Sequence, residues 1–149
     1  MENPVGAEVM TLTRIELWRG PFEALIDDIK AKPFAWGEND CGPALAGRMV
    51  EALTGQDLCA EFRGRYRSRR GALKLMHAAG FDDLADLVAS MLPEIHISQA
   101  TVGDIAAIPV ATPFRHALGV VNGERIFVMA ANGIGTVDLF DAARVFKVG

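Results

Sequence analysis

The spacing of apolar residues changes near Pro93, and this change constrains the fold more than any other feature of the sequence. Before Pro93, apolar residues recur at helical spacing in four stretches, 13–29, 41–53, 72–79 and 81–92. After it, five short apolar runs are typical of strands, at 104–110, 118–121, 126–129, 134–137 and 144–148. The pairs Asn122-Gly123 and Asn132-Gly133 separate successive runs and predict β-hairpins. The sequence therefore predicts an α+β domain, with N-terminal helices packed on a C-terminal antiparallel meander.

Length and composition fit one compact domain. The chain has 149 residues, of which 50% are hydrophobic, and this is enough to bury a core. Within it we interpret residues 1–32 as an N-terminal helical extension and residues 33–149 as the main domain. The formal net charge of −4 argues against a protein that mainly binds nucleic acid. Five arginines between positions 63 and 70 form a local basic segment, which we interpret as a solvated loop.

The two cysteines and the N-terminal residues are informative about the cellular compartment and about bound metals or cofactors. Cys41 and Cys59 are too few for a disulfide framework, and their spacing to histidines is not that of a zinc site. We therefore expect free thiols, no metal and no cofactor. The first ten residues lack the basic and apolar regions of a signal peptide, and no apolar run approaches the roughly 20 residues that span a bilayer. We expect a soluble protein without a membrane span, made in the cytoplasm.

The segment 36–41, Trp-Gly-Glu-Asn-Asp-Cys, places a cysteine at the start of an apolar helix. Asp40 is a suitable N-cap for that helix, which we expect to pack on the sheet. Backbone N–H groups at a helix N-terminus carry partial positive charge, so they favour the thiolate and lower the cysteine pKa. Cys41 is therefore the candidate nucleophile. Cys59 has no evident base or charge beside it, and we predict a packing role.

A cysteine nucleophile needs a base, and the sequence contains three histidines. His116 stands at the mouth of a predicted strand, where a rigid scaffold can hold an imidazole against a helix start. His77 lies within a predicted helix and His96 lies between two isoleucines, so we expect structural or surface roles for both. For His116 itself, a strand start that faces solvent remains the alternative.

These residues carry a family resemblance. Trp36-Gly37-x-x-Asp40-Cys41 at a helix start, Val102-Gly103-Asp104 at a strand start and a histidine before a Gly-Val-Val strand resemble the NlpC-type cysteine peptidases. Those enzymes are papain-like cell-wall hydrolases. The later motifs Thr54-Gly55-x-Asp57, Gly64-x-Tyr66 and Gly71-Ala72 make the chain similar to a group of small phage and prophage proteins encoded among tail genes. The resemblance runs from about residue 36 to the C-terminus and implies an NlpC-like, papain-like fold.

The resemblance also implies a reaction and a set of roles. Cys41 would attack a peptide bond in peptidoglycan stem peptides, and His116 would act as general base and acid. A third polar residue would orient the imidazole. Asp40 would cap the helix rather than take part in chemistry, and Trp36 would wall the substrate cleft.

The sequence departs from the family pattern at the histidine and after it. The enzymes read His-Val-Gly-Ile, whereas here an extra residue separates His116 from Gly119. If the glycine fixes the register, Ala117 occupies the catalytic place and His116 points away, because a slip of one residue reverses the face. The third residue is expected about a dozen positions after the histidine, where only apolar side chains stand, at Val128 and Met129. Asn132 is the nearest polar candidate.

Two hypotheses from different classes follow. In the first, the chain is a tail-associated cysteine peptidase that hydrolyses peptidoglycan during cell-wall penetration. In the second, it is a catalytically inactive tail-tip or tail-assembly protein that kept the fold. Both imply other tail proteins as partners and a path from the host cytoplasm during assembly to the virion tail. A nucleic-acid-binding module built on the segment 63–70 is a third hypothesis, which the net acidity counts against.

Overall fold

The computed structural model of the chain describes residues 12–149. Residues 1–11 lie outside the described part, and with them the segment considered as a signal peptide and the first third of the predicted extension. The helices are α1 (Arg19–Lys30), a π-helix (Cys41–Gly47) that runs directly into α2 (Arg48–Thr54), α3 (Arg69–Ala78) and α4 (Leu84–Ala89). Short 3₁₀ turns occupy Ile97–Gln99 and Leu139–Asp141. None of the helices within 12–149 has the length and apolar content that crossing a membrane requires.

Within residues 12–149, six strands form one antiparallel sheet. They are β1 (Glu94–Ile95), β2 (Ile105–Pro109), β3 (His116–Asn122), β4 (Arg125–Ala130), β5 (Gly133–Asp138) and β6 (Arg144–Phe146), and the order across the sheet is β1-β6-β2-β3-β4-β5. Strands β2 to β5 form the predicted meander, with hairpins at both Asn-Gly pairs. Strand β6 instead returns to the opposite side and pairs with β2 and β1. The predicted α+β class, with helices on an antiparallel sheet, is confirmed.

Two predicted helices are shorter in the structure. Helix α1 begins at Arg19 rather than near residue 13, because Leu17 adopts a left-handed backbone conformation (φ +58°) that a continuous helix cannot contain. Helix α4 begins at Leu84 rather than at residue 81. The Asp83 carboxylate accepts a hydrogen bond from the Ala85 N–H and so caps the first turn.

The main core lies between the helices and one face of the sheet. It contains side chains from α1, from the π-helix and α2, and from the strands, including Ile29, Leu45, Met49, Leu53, Leu118, Val120 and Phe146. A second cluster covers the other face and contains Ala106, Val121, Ile126 and Val145. Helix α1, the described part of the predicted extension, thus shares one core with the main domain. Leu118 and Val120 on β3 face the helices, so alternate residues of this strand point toward the π-helix.

The two ends of the described chain meet at Asp104, which is buried at the start of β2. The Asp104 carboxylate accepts hydrogen bonds from the backbone N–H groups of Thr101 and Val148, at 2.9 and 3.0 Å. It also pairs with the Arg14 guanidinium, 3.3 Å away. Arg14 donates in turn to the carbonyl oxygens of Val102 and Val148, at 2.8 and 2.7 Å. The Gly103-Asp104 motif therefore joins the two ends of the described chain as a structural clamp.

Candidate active site

Cys41 is the first residue of the π-helix, and Asp40 caps that helix. The Asp40 side chain is almost fully buried, and its Oδ1 accepts from the Ala44 N–H at 3.3 Å. The helix opens with an i to i+5 hydrogen bond, from Leu45 N–H to the Asp40 carbonyl oxygen, at 2.9 Å. π-helical turns of this kind occur often at functional sites. The helix packs on β3, as the sequence predicts for the cysteine-bearing helix.

The loop before Cys41 is held by the loop that contains Tyr66. The Tyr66 hydroxyl donates to Asp40 Oδ2 at 2.5 Å, and the Gly37 N–H donates to the same oxygen at 2.9 Å. Gly37 has a left-handed backbone (φ +82°), and a side chain there would collide with the carbonyl oxygen of Tyr66. The Gly64 N–H donates to the Gly37 carbonyl oxygen at 3.2 Å. The Trp-Gly and Gly-x-Tyr motifs thus fix each other and the capping aspartate.

His116 lies at the start of β3, and Asp83 binds it. The His116 Nδ1 is 2.8 Å from Asp83 Oδ1, and both side chains are largely buried. Burial raises the Asp83 pKa, but the Ala85 N–H, the hydrogen bond and positive charge of His116, and the Arg144 charge outweigh burial and lower the pKa. An ionised carboxylate can only accept hydrogen bonds, so Nδ1 is the donor in this pair. In a neutral imidazole with this tautomer, Nε2 is the nitrogen that accepts a proton.

The register places His116 on the face of β3 that the helices cover. It lies two residues before Leu118 and four before Val120, both of which pack in the helical core. His116 rather than Ala117 thus shares the helix-covered face of β3 with Leu118 and Val120. The loop before β3 supports the histidine from outside the sheet. The Phe114 carbonyl oxygen accepts from the Leu84 N–H at 3.1 Å, which ties this loop to the start of α4.

Cys41 and His116 line the same cavity, which has a volume of about 400 Å³. We call it the Cys41 cavity; it lies between the π-helix, β3, α3 and α4. Trp36 also lines it and stacks on Phe114 with ring centroids 6.0 Å apart. The volume falls within the range of roughly 300–1,000 Å³ typical of small-molecule sites. The cavity thus contains a thiol, an oriented imidazole and room for a substrate group.

The predicted low pKa of the thiol is wrong. Burial raises the pKa of Cys41 to about 11, and the negative charge of Asp40 raises it further. Hydrogen bonds from the backbone at Leu118 and at Cys41 itself lower the pKa, but by less than burial raises it. Desolvation disfavours the charged form of a thiol, and here it exceeds the effect of the helix start. The resting form of Cys41 is therefore the neutral thiol.

Asn132, the predicted third residue, does not line the Cys41 cavity. It is exposed in the turn between β4 and β5, whereas the Nδ1 atom of His116 is occupied by Asp83. His77 is exposed on α3, and His96 caps a 3₁₀ turn by accepting from the Ser98 N–H. Neither takes part in the cavity.

Cys59 packs against the π-helix, and the arginine segment lies mostly at the surface. The Cys59 side chain lies against Gly47 of the π-helix so closely that a Cβ at Gly47 would be 2.7 Å from Sγ. Burial raises the pKa of Cys59 to about 12. Arg63 pairs with Asp57 at 2.6 Å, and the other four arginines of the segment are exposed. Among the side chains of residues 12–149, no group of three or more His, Cys, Asp or Glu could hold a metal ion.

Comparison with known families identifies the domain. A family described as a domain of unknown function, DUF6950, matches residues 13–148. The chain belongs to the DUF6950 family. Comparison with curated proteins and with solved structures found no match. The DUF6950 domain includes α1, in agreement with the shared core.

Asp83 is the residue of the DUF6950 site that sequence analysis missed. The apolar spacing of 81–92 predicts a helix that would contain Asp83 in its first turn, on the surface. The available signal was the type of residue, because an aspartate immediately before a run of helix formers is a common N-cap. Its proximity to His116, 33 positions along the chain, has no local signature.

Proposed function

We propose that this DUF6950 protein is a papain-like cysteine hydrolase of the NlpC type. Cys41 is the nucleophile, His116 is the general base and acid, and Asp83 orients the imidazole. The observation that supports this most is the Asp83–His116 hydrogen bond on the strand face that packs against the Cys41 helix. A nucleophile, a base and an orienting carboxylate around one cavity are the features expected of such an enzyme.

The chemistry runs through a thioester. As Cys41 Sγ attacks the carbonyl carbon of the substrate, its proton moves to His116 Nε2, and the carbonyl electron pair moves to oxygen. When the carbonyl re-forms, the bond to the leaving amine breaks and the amine takes the proton from Nε2. Water then attacks the thioester, gives its proton to His116 and releases the acid, and the proton returns to Sγ. Backbone N–H groups at the helix start stabilise both oxyanions.

The raised thiol pKa determines when the proton moves. Because Cys41 is neutral at rest, with a pKa of about 11, the imidazole removes the proton during the attack rather than before it. Asp83 assists at this step, because an ionised carboxylate on Nδ1 stabilises the imidazolium that forms. The Asp83 pKa is lowered, so this carboxylate is ionised at neutral pH.

The resemblance to NlpC peptidases and small phage tail proteins supports a substrate and a setting. The substrate class is the peptide bond of peptidoglycan stems, cut locally as a tail penetrates the cell wall. The protein is then assembled with other tail proteins in the host cytoplasm and carried in the virion tail. The motifs that carry this resemblance surround the Cys41 site, at Trp36-Gly37, Asp40-Cys41 and Gly64-x-Tyr66.

The test is hydrolysis of purified peptidoglycan, followed by release of new amino groups and by mass spectrometry of the fragments. Wild-type protein and the Cys59→Ser variant are expected to release the same fragments at similar rates. Cys41→Ala is expected to release none while it keeps the wild-type urea midpoint. Fragment release that survives Cys41→Ala would contradict the proposal.

A second candidate function is that of an inactive tail-tip or tail-assembly protein. The raised pKa of Cys41 favours it, because a buried neutral thiol is also what a structural cysteine has. This candidate predicts that tails assembled with Cys41→Ala are as infectious as wild-type tails on hosts with an intact wall. The hydrolase proposal predicts reduced penetration with normal tail assembly.

A further inference from the structure

The Cys41 cavity is mostly apolar, and the polar side chains in its lining besides Cys41 and His116 are those of Asp40, Tyr66, Arg69 and Thr112. Side chains from the π-helix, α3, α4 and the segments after them supply the lining, among them Val50, Ala72, Leu75, Met76, Leu87 and Met91. These side chains have no hydrogen-bonding capacity beyond the weak thioether sulfur of methionine. A group that fills this space must therefore be largely apolar itself.

Arg69, an exposed residue at the start of α3, lines the cavity, and the other polar side chains there have partners already. Asp40 and Tyr66 bind each other, and His116 binds Asp83 through Nδ1. The Thr112 hydroxyl accepts from the Phe114 N–H at 3.2 Å. A stem peptide placed here would bring several amides and carboxylates against a surface with few groups to bind them. Each unsatisfied polar group would weaken binding.

We infer that the Cys41 cavity binds an aliphatic chain on the acyl side of the scissile bond. The substrate class is then an aliphatic acyl ester, thioester or amide, whose carbonyl carbon lies between Cys41 and His116. A methylene is about as large as a water molecule, roughly 30 Å³, so the cavity holds a chain of about ten carbons. The inference rests on the proposed cysteine chemistry. It differs from the proposed function in the group that enters the cavity, which is an aliphatic chain rather than a stem peptide.

The first arm of the test is a chain-length series of p-nitrophenyl esters, from acetate to dodecanoate, with Cys41→Ala as the background. The Cys41-dependent kcat/KM is expected to rise about two- to fourfold for each added methylene until the cavity is full. A flat or falling series would overturn the inference.

A pair of variants on α3 provides the matched control. Ala72 lines the cavity, whereas Ala78 is exposed on the same helix and does not line it. Ala72→Phe is expected to abolish the preference for long chains, measured as the ratio of kcat/KM for dodecanoate to that for acetate in the same variant. Ala78→Phe is expected to keep the wild-type series. If both variants kept the preference, the chain would bind elsewhere and the inference would fail.

The second arm measures binding without catalysis and without variants of the apolar lining. Dodecanoate is titrated into Cys41→Ala by calorimetry, and it is tested for protection of Cys41 from alkylation in the Cys59→Ser background. Saturable binding and protection support the inference even if no ester is hydrolysed, an outcome that would instead contradict the proposed hydrolase. Cys41-dependent cleavage of stem peptides, with no dodecanoate binding and a flat ester series, would overturn the inference and leave the hydrolase in place.

Discussion

Two motif aspartates, Asp40 and Asp104, are both almost fully buried, but their partners differ. Asp104 pairs with the Arg14 guanidinium and accepts two backbone N–H groups, so its charge is balanced within the clamp. The described partners of Asp40 are neutral donors, the N–H groups of Gly37 and Ala44 and the Tyr66 hydroxyl. Asp40 also borders the Cys41 cavity, whereas Asp104 does not.

This difference separates a region that stabilises the fold from a region that controls reactivity. At Asp104 the charge of the carboxylate is balanced by the Arg14 guanidinium, and the contacts of this pair join both ends of the described chain. At Asp40 the negative charge acts on its neighbours and raises the pKa of Cys41 and of Tyr66, in both cases after burial, which is the larger cause. Substitutions in the two regions are therefore expected to change different observables.

Asp104→Ala is expected to have the largest effect on stability. It leaves the part-buried Arg14 guanidinium without its carboxylate and removes the acceptor of two N–H groups. Breaking such a pair costs about 3–5 kcal/mol in the free energy of unfolding. Urea unfolding measures this loss, and Asp82→Ala, on an exposed aspartate, is the control. Equal midpoints for the two variants would contradict a structural clamp.

Asp83→Ser is expected to lower kcat about tenfold to a hundredfold, with little change in KM. Serine is a good N-cap, so α4 keeps its cap, but the shorter side chain no longer holds His116. Asp83→Asn is expected to lose less, because an amide oxygen can still accept from Nδ1. The assay is Cys41-dependent ester hydrolysis, with Asp82→Ser as the control. An unchanged kcat in Asp83→Ser would show that Asp83 only caps the helix.

The buried thiols predict a loss of stability at alkaline pH. In the unfolded chain they titrate near their ordinary pKa of 9.0, whereas in the folded chain the pKa is about 11 for Cys41 and about 12 for Cys59. The folded state holds these protons more tightly, so their contribution is fully present below about pH 9 and is lost as pH rises through the folded values. Urea midpoints between pH 8 and 11 (roughly the window of the shift) test this. The Cys41→Ala, Cys59→Ser double variant is expected to lose less, and a loss equal to that of wild type would contradict the assignment.

Asp40→Asn is expected to have the smallest effect, and what it changes is the pKa of Cys41. Asparagine removes the charge and keeps one acceptor oxygen, so it loses at least one of the three hydrogen bonds that the carboxylate accepts. The pKa of Cys41 should then fall from about 11, because the second cause of its elevation is gone. The measurement is the pH dependence of Cys41 alkylation in the Cys59→Ser background. An unchanged profile would mean that burial alone sets the pKa.

Local sequence predicts the Cys41 side of the site well, because its determinants lie close together in the chain. Helical spacing, Asp40 as a cap and the Asn-Gly hairpins are effects of neighbouring residues, and the structure contains all of them. The face of His116 also follows from alternation along β3 once the packing of Leu118 is known. A register set by Gly119 would place Ala117 on the helix-covered face of β3. The packing of Leu118 and Val120 places His116 on that face instead.

The parts that sequence did not predict depend on distant contacts or on burial. The Asp83–His116 bond joins a helix cap to a strand start, and the position of β6 between β1 and β2 depends on pairing across the whole sheet. The helix start alone predicts a lowered thiol pKa for Cys41. The larger influence on that pKa is burial against β3 and the surrounding apolar side chains, and this burial requires the tertiary structure.

Acylation of Cys41 by p-nitrophenyl acetate at neutral pH shows directly whether Cys41 and His116 act together as nucleophile and base. The measurement is made in the Cys59→Ser background, with the adduct located by mass spectrometry, and compared with the same protein carrying His116→Ala. The account predicts one acetyl group on Cys41, formed at least about tenfold more slowly without the imidazole. Equal rates in the two proteins, or an acetyl group on another residue, would show that Cys41 and His116 do not act together.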